Sequence, residues 1–195
     1  MEGLKRYDFL TQEECDTIVH EILSLEDAVK RLGPDEYIGT SEDSLTGRYK
    51  YFNYLNVPKI NTILEPKLKK LLGPCVLQCW ANILRQGEGI DEHTHFGGVG
   101  TAYAERHGAT GNIFLYGDPT TGTYYKFPEL GPFQVKYDNK VGELSLFTPT
   151  LVHGVPKNTT GDMRISMAID VNRDLTEDMI NSLMASKNGT FFYIR

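Results

Sequence analysis

The segment CVLQCWANILRQG, residues 75–87, begins a change in the character of the sequence. It follows Gly73-Pro74 and is the first of several short runs rich in aromatic and β-branched residues and separated by Gly, Pro, Asp and Asn. The later runs are GNIFLYGD, GTYYKFP, PFQVKYDN, GELSLFTP and RISMAIDVN. Short strands at this spacing are typical of a β-sandwich or an open barrel. We therefore predict a β core over residues 74–173, in which Trp80 is a core residue.

Helical periodicity is found on both sides of this β core. LTQEECDTIVHEILSL has apolar residues at helical spacing and offers Thr11 as N-cap with Glu14 three residues later, a capping-box pattern. VPKINTILEPKLKKLLGP predicts a second helix, with a kink or restart at Pro66. Residues 1–73 are thus expected to form a mostly helical buttress. Residues 174–195 are expected to form a C-terminal helix and tail, and the whole chain 1–195 a single domain that is mainly β with flanking helices (α+β).

The segment YIGTSEDSLTGRYKYFNYLN, residues 37–56, is the part of the N-terminal region without a clear pattern. It is too polar and too rich in glycine for a core element. Two interpretations stay open, a lid over a functional site and a surface connection.

Charge and cysteine content limit the classes of function. The 195 residues have a formal net charge of −6 and no dense Lys/Arg block, which argues against nucleic-acid binding. No apolar run is long enough to cross a bilayer, and the N-terminus lacks the apolar region of a signal peptide. Three cysteines without a CxxC pair suggest buried thiols in a reducing compartment. We expect a cytoplasmic protein without a membrane partner; the oligomeric state cannot be deduced from the sequence.

Three of the five histidines suggest a metal site. His93 and His95 lie in GIDEHTHFGG, residues 89–98, and side chains two residues apart on a strand project to the same side. His153 follows the strand-like GELSLFTPT and could join them only if the chain folds back. Non-haem iron sites commonly use two histidines and one carboxylate on one face of the metal, which leaves three positions open.

An anion site is predicted beside this metal site. Arg164 comes eleven residues after His153 and alternates with Ser166 to one face of RISMAID. A planar guanidinium binds a carboxylate through two hydrogen bonds, and a neighbouring hydroxyl adds another donor. An H-x-H pair alone is weak evidence, and Arg164 alone could be a surface residue. The joint pattern favours the metal and anion sites.

This joint pattern resembles the iron(II)- and 2-oxoglutarate-dependent dioxygenases, particularly the prolyl-hydroxylase-like branch. FLTQEECDTIV is similar to the opening helix of that branch, GEGIDEHTH reproduces its spacing from a glycine to the first metal histidine, and GELSLFTPTLVHGV…RIS is similar to its closing histidine and cosubstrate arginine. The resemblance implies a double-stranded β-helix (jelly-roll, cupin-like). It also implies that His93 and His153 bind iron(II), and that Arg164 and Ser166 bind the distal carboxylate of 2-oxoglutarate.

The chain departs from the pattern of that branch at two positions. His95 stands where most members have the aspartate of H-x-D. Either three imidazoles hold the metal, or a carboxylate completes the site, with Asp91 or Asp118 as candidates. We favour His95 because it occupies the second ligand position of the H-x-D motif. Leu84 stands where the branch often has a tyrosine, and Asn82 is the candidate to take over some contact with the cosubstrate.

The resemblance implies an enzyme that uses iron(II), 2-oxoglutarate and O2. Such an oxygenase would hydroxylate a C–H bond of an amino acid, a peptide or another small substrate, and would release succinate and carbon dioxide. The alternative is a cupin-like three-histidine metal dioxygenase, or a ligand-binding protein, that does not use 2-oxoglutarate. Arg164 and Ser166 favour the first hypothesis, because an enzyme whose substrate binds the metal directly does not need them.

Overall fold

Two antiparallel β-sheets form the centre of the fold in a computed structural model that describes residues 3–35, 38–41, 44–50, 52–95, 107–186 and 189–195. The strands within these residues are β1 (Leu4–Asp8), β2 (Cys75–Leu84), β3 (Ile90–His93), β4 (Gly108–Tyr116), β5 (Thr123–Lys126), β6 (Val135–Tyr137), β7 (Glu143–Phe147), β8 (Val152–Val155), β9 (Arg164–Asn172) and β10 (Phe192–Ile194). The larger sheet has the order β1-β7-β4-β9-β2-β10, and the smaller has the order β3-β8-β5-β6. Both sheets line one cavity. The fold is the predicted double-stranded β-helix.

The helices within the described residues are α1 (Gln12–Lys30), α2 (Pro58–Leu72) and α3 (Glu177–Ser186). The predicted capping box of α1 is confirmed: Thr11 Oγ1 accepts from the Glu14 backbone N at 3.2 Å, and Glu14 Oε2 accepts from the Thr11 backbone N at 2.8 Å. The predicted restart at Pro66 is wrong, because α2 continues through it. None of the described helices is long and apolar enough to cross a bilayer.

Strand β9 shows how the larger sheet presents two different faces. Its sequence RISMAIDVN alternates apolar residues with polar or small ones, and neighbouring side chains on a strand point to opposite faces. The apolar set packs in the main core with residues of α1 and α2: Ile165, Met167, Ile169 and Val171. The other set begins with Arg164, Ser166 and Ala168, which line the cavity between the sheets. The helices therefore cover one face, and the other is left for a site.

Two edge strands were not anticipated by the sequence analysis. Strand β1 lies in the region expected to be mostly helical and pairs with β7, with Leu4 opposite Phe147. Strand β10 lies in the C-terminal tail and pairs with β2, with Ile194 opposite Cys75. Strands of five and three residues are too short to produce a clear alternation in the sequence, and both depend on partners more than 100 residues away.

The expectation that residues 37–56 are too polar for the core is wrong. Leu45, Tyr49, Tyr54 and Leu55 are buried in the main core. The Leu45 carbonyl accepts from the Ile83 backbone N at 2.8 Å, so this segment pairs with β2 beyond the end of β10. Ile38, from the same segment, lines the cavity between the sheets. Tyr37, Glu42, Asp43 and Tyr51 lie outside the described residues.

The three cysteines are free thiols and all are buried, as the sequence suggested. Burial raises the pKa of Cys15 and Cys75 to about 11 and also raises that of Cys79. A protonated thiol is a poor nucleophile and a poor metal ligand. The cysteines are therefore core residues in this fold.

Candidate metal centre

The three predicted histidines meet between the two sheets. His93 is the last residue of β3, and His153 lies directly opposite it in β8. His95 follows two residues after His93, and its backbone N donates to the Pro149 carbonyl at 2.7 Å. The three side chains offer ligand atoms within 4.8 Å of one another. Among the described residues, this cluster is the group of potential ligands close enough to hold a metal ion.

Backbone oxygens orient two of the three imidazole rings. His93 Nδ1 lies 2.8 Å from the Asp91 carbonyl, and His153 Nδ1 lies 2.9 Å from the Leu151 carbonyl. A carbonyl oxygen can only accept, so each Nδ1 carries a proton, and in the neutral ring the Nε2 lone pair is then left for a metal. Burial lowers the pKa of His153, and the nearby His93 and His95 lower it further. The neutral ring that a metal requires is therefore favoured at His153.

The third ring is oriented by a buried carboxylate. His95 Nδ1 lies 2.8 Å from Oδ1 of Asp170 in β9, and the same oxygen accepts from Thr110 Oγ1 at 3.0 Å. Burial alone would raise the pKa of Asp170, but His95, Arg48 and Thr110 together hold it below its usual value. Asp170 was missed by the sequence analysis. The available signal was the alternation of RISMAID, which puts Asp170 on the same face as Arg164 and Ser166.

The spacing of the ring nitrogens suits a transition metal. His93 Nε2 and His95 Nε2 are 2.9 Å apart. Metal–imidazole bonds of about 2.1 Å would put two nitrogens at right angles about 3.0 Å apart. Three imidazole nitrogens this close together are a suitable donor set for iron and leave further positions open. The residues therefore fit a bound iron(II).

The two carboxylates considered as third ligands lie outside this cluster. Asp91 is exposed and contributes its backbone carbonyl to His93, while its side chain does not belong to the cluster. Asp118 Oδ1 accepts from the backbone N and Oγ1 of Thr120 at 2.8 and 2.7 Å, as part of a local turn. The alternative of Asp91 as third ligand is therefore not favoured by the geometry.

Trp80 forms a wall of the cavity beside the histidines. Its ring is buried, as expected for a core residue, but it also stacks on His95 with ring centroids 5.4 Å apart and an angle of 23° between the planes. The guanidinium of Arg48 also lies over the Trp80 ring, with Cζ 5.6 Å from the ring centroid. The packing of Trp80 restricts the orientation of His95.

Arg164 is a buried cation in the same cavity. It is 0% exposed, and its Nε donates to the Thr121 carbonyl at 3.1 Å, its Nη1 to Ser166 Oγ at 2.9 Å and its Nη2 to Thr123 Oγ1 at 3.3 Å. All three partners are neutral, and no carboxylate of the described residues forms an ion pair with it. Burial lowers its pKa to about 10, which still leaves it charged at neutral pH. Buried charges in proteins are normally paired, so this site is suited to an anion.

Asn82 also lies in this cavity, next to the anion site. It is register partner to Ser166 across β2 and β9, and its Oδ1 accepts from the Gly47 backbone N at 3.1 Å. The Asn82 side chain lines the cavity, so its amide nitrogen can donate to a ligand bound there. Leu84, at the position where the prolyl-hydroxylase-like branch often has a tyrosine, is fully buried in an apolar cluster with Ile90 and Val155.

A family comparison agrees with this geometry. Residues 78–170 match the family model described as "Putative 2OG-Fe(II) oxygenase". The matched region contains all the candidate site residues: Asn82, Asp91, His93, His95, His153, Arg164 and Ser166. The resemblance predicted from the sequence is therefore confirmed. No curated protein matches the chain in a sequence search.

Solved structures of low sequence identity share the fold. HygX from Streptomyces hygroscopicus, with nickel and 2-oxoglutarate bound, is 14% identical with a TM-score of 0.61, over 90% of this chain and 84% of that one. The non-heme alpha ketoglutarate dependent carbocyclase SnoK from nogalamycin biosynthesis is 12% identical with a TM-score of 0.62, over 99% and 92%. A Pseudomonas putida prolyl-4-hydroxylase is 15% identical with a TM-score of 0.54, over 89% and 94%. Together, the family match and the fold support a 2-oxoglutarate-dependent oxygenase.

Proposed function

We propose that this chain is an iron(II)- and 2-oxoglutarate-dependent oxygenase that hydroxylates a C–H bond of a small-molecule or peptidyl substrate. The observation that carries the proposal is Arg164. A fully buried guanidinium without a carboxylate partner among the described residues lines the same cavity as a three-histidine cluster. The metal cluster alone would suit many reactions, whereas the buried cation beside it calls for an anionic cosubstrate.

In this proposal the residues of the chain bind and orient the reactants. His93, His95 and His153 hold iron(II) through Nε2, and Arg164 with Ser166 binds the distal carboxylate of 2-oxoglutarate. Iron(II) with 2-oxoglutarate and O2 supplies the oxidising power, and succinate and carbon dioxide are released.

The walls of the cavity are largely apolar. Ile38, Trp80, Ile90 and Val155 are among the residues that line it. Exclusion of water strengthens the attraction between the buried guanidinium and a carboxylate, and it limits side reactions. The chain's contribution to the reaction is therefore position, charge and a dry environment.

The charges predict that metal and cosubstrate bind cooperatively. Three neutral imidazoles do not offset the charge of a divalent metal, whereas the dianion of 2-oxoglutarate neutralises it. 2-Oxoglutarate should therefore bind weakly to the metal-free protein and more tightly once the metal is present.

The substrate is proposed at the level of its class. Solved structures with this fold include a prolyl-4-hydroxylase and a carbocyclase from nogalamycin biosynthesis, so the fold is compatible with either class of substrate. The lining of the cavity, which includes Trp80 and Val155, is largely apolar, and such a surface suits the binding of the hydrocarbon part of a substrate.

The test is whether 2-oxoglutarate consumption depends on this site. Purified protein with iron(II), 2-oxoglutarate and O2 should form succinate above the level of a protein-free control, and His153→Ala should abolish the increase. Asp91→Ala is the matched control, since its side chain lies outside the cluster, and it should keep most of the activity.

Binding measured by calorimetry separates this proposal from the alternative. Nickel-loaded protein, which cannot turn over, should bind 2-oxoglutarate. Binding of nickel without any binding of 2-oxoglutarate, together with no succinate from the iron-loaded protein, would refute the proposal and favour a cupin-like protein that does not use 2-oxoglutarate.

A further inference from the structure

A buried carboxylate lies directly behind His95. Asp170 is 1% exposed and sits in the middle of the larger sheet, where Gln78 of β2 and Thr110 of β4 are its register partners. Its Oδ1 is 2.8 Å from His95 Nδ1 and also accepts from Thr110 Oγ1. Strands on both sides fix the backbone of Asp170, so the carboxylate has little freedom to move away from the imidazole.

His95 differs in this respect from the other two histidines. His93 and His153 are each oriented by the backbone carbonyl two residues earlier in the chain, at Asp91 and Leu151. His95 Nδ1 instead contacts a charged side chain, the carboxylate of Asp170, which is 75 residues away in sequence. This difference occurs at the position where the H-x-D pattern has a carboxylate ligand.

We propose that Asp170 is a positioning residue that acts through His95. Its negative charge is separated from the metal by the imidazole of His95, whereas the aspartate of H-x-D brings its negative charge to the metal as a direct ligand. The proposal rests on the function proposed above. Asp170 holds the proton on Nδ1 and keeps Nε2 directed at the other two histidines. It thereby makes His95 a better electron donor to a metal, as carboxylate partners do for other ligating histidines.

The charges around the site support this role. Three neutral imidazoles and a divalent metal carry one positive charge more than the H-x-D arrangement, and the carboxylate of Asp170, which Arg48 also approaches, partly offsets this difference. Asp170 Oδ2 has no hydrogen-bond partner among the described residues, and Arg48 Nη1 lies 4.0 Å from it. The hydrogen bonds of the carboxylate are therefore concentrated on Oδ1, the oxygen that faces His95.

The competing explanation is a purely structural carboxylate that joins Thr110 to the sheet. The nickel(II) affinity of four proteins, measured by calorimetry on the full chain, distinguishes this explanation from the positioning role. The four proteins are the wild type, Asp170→Asn, His95→Asp and the double variant. If Asp170 acts through His95, Asp170→Asn should weaken nickel binding about 10- to 100-fold in the wild-type background. In the His95→Asp background it should weaken binding less than about threefold, because the imidazole is gone. Equal losses in both backgrounds would overturn the proposal.

Thr110→Val serves as the matched control, because it removes the other hydrogen bond to the same oxygen and leaves His95 untouched. It should weaken nickel binding much less than Asp170→Asn does. A loss equal to that of Asp170→Asn would show that integrity of the sheet is what matters, and would also overturn the proposal.

A second measurement keeps the proposal testable if His95→Asp does not fold. In the metal-free protein, ¹⁵N NMR of the imidazoles should show a proton on His95 Nδ1, and Asp170→Leu should populate a tautomer without that proton. An unchanged tautomer in Asp170→Leu would refute the positioning role. Absence of nickel binding in the wild type would remove the proposed function along with this inference, whereas wild-type binding that Asp170→Asn leaves unchanged would remove this inference alone.

Discussion

Replacing Arg164 by lysine tests whether the buried cation is a cosubstrate site. Lysine keeps the positive charge but lacks the planar fork that can offer two parallel hydrogen bonds to a carboxylate. In the wild type the guanidinium is held in one orientation by Thr121, Ser166 and Thr123. The shorter and more flexible ammonium should contact a carboxylate through one point only. Arg164→Lys should therefore bind 2-oxoglutarate more weakly without losing the metal.

The size of the effect follows from the hydrogen bonds involved. A hydrogen bond to a charged group contributes about 1.5–3 kcal/mol, which corresponds to roughly 10- to 100-fold in affinity. Arg164→Met removes the charge entirely, and we expect a loss of more than about 100-fold. The free energy of unfolding should change by less than about 2 kcal/mol in Arg164→Met. Loss of the hydrogen bond to the Thr121 carbonyl destabilises the protein, whereas removal of an unpaired buried charge stabilises it, so the two effects partly cancel.

The assay is calorimetric titration of 2-oxoglutarate into nickel-loaded protein, with chemical denaturation of the same samples. Arg85→Lys is the matched control, since Arg85 pairs with Glu26 at 2.8 Å and does not line the cavity. Wild-type affinity in both Arg164 variants would exclude Arg164 from the cosubstrate site. A loss of several kcal/mol of unfolding free energy in Arg164→Met would instead identify it as a structural residue.

Three further predictions concern the metal, the thiols and a turn. His153→Ala should bind nickel at least tenfold more weakly by calorimetry, with little change in its circular dichroism spectrum. Asp91→Ala, the control, should bind nickel like the wild type. Global unfolding of His153→Ala would indicate that His153 is a structural residue. At pH 8 a thiol with a pKa of about 11 is only ~0.1% ionised. The cysteines of the native protein should therefore react with a thiol reagent about 100-fold more slowly than those of the denatured protein, and their reaction rate should increase as the pH rises. Rapid modification of the native protein would contradict the burial of these thiols. Gly142→Ala should lower the unfolding free energy by about 1–3 kcal/mol. The reason is that φ of Gly142 is +80° and that a Cβ at this position would collide with the Leu10 carbonyl oxygen. Gly161→Ala is the control, and because nothing lies near its Cβ position it should change the unfolding free energy by less than about 0.5 kcal/mol.

Local patterns in the sequence were sufficient for the main elements of the fold. The capping box placed the start of α1, and every run predicted as a strand after Pro74 contains one. These features depend on contacts between residues two to four positions apart, which is why they can be recognised without knowledge of the rest of the chain. The spacing of His93, His95 and His153 with Arg164 likewise indicated the candidate site.

Contacts between distant parts of the chain were decided only by the tertiary structure. Strands β1 and β10 exist because β7 and β2 offer them edges, and Leu45 is a core residue because its segment pairs with β2 beyond β10. Strand alternation is enough to put Asp170 on the same face as Arg164, but it does not show which side chain lies opposite. That pairing depends on how the segment that carries His95 passes over the larger sheet. Its path is determined by hydrogen bonds between residues far apart in the chain and by the packing of Trp80.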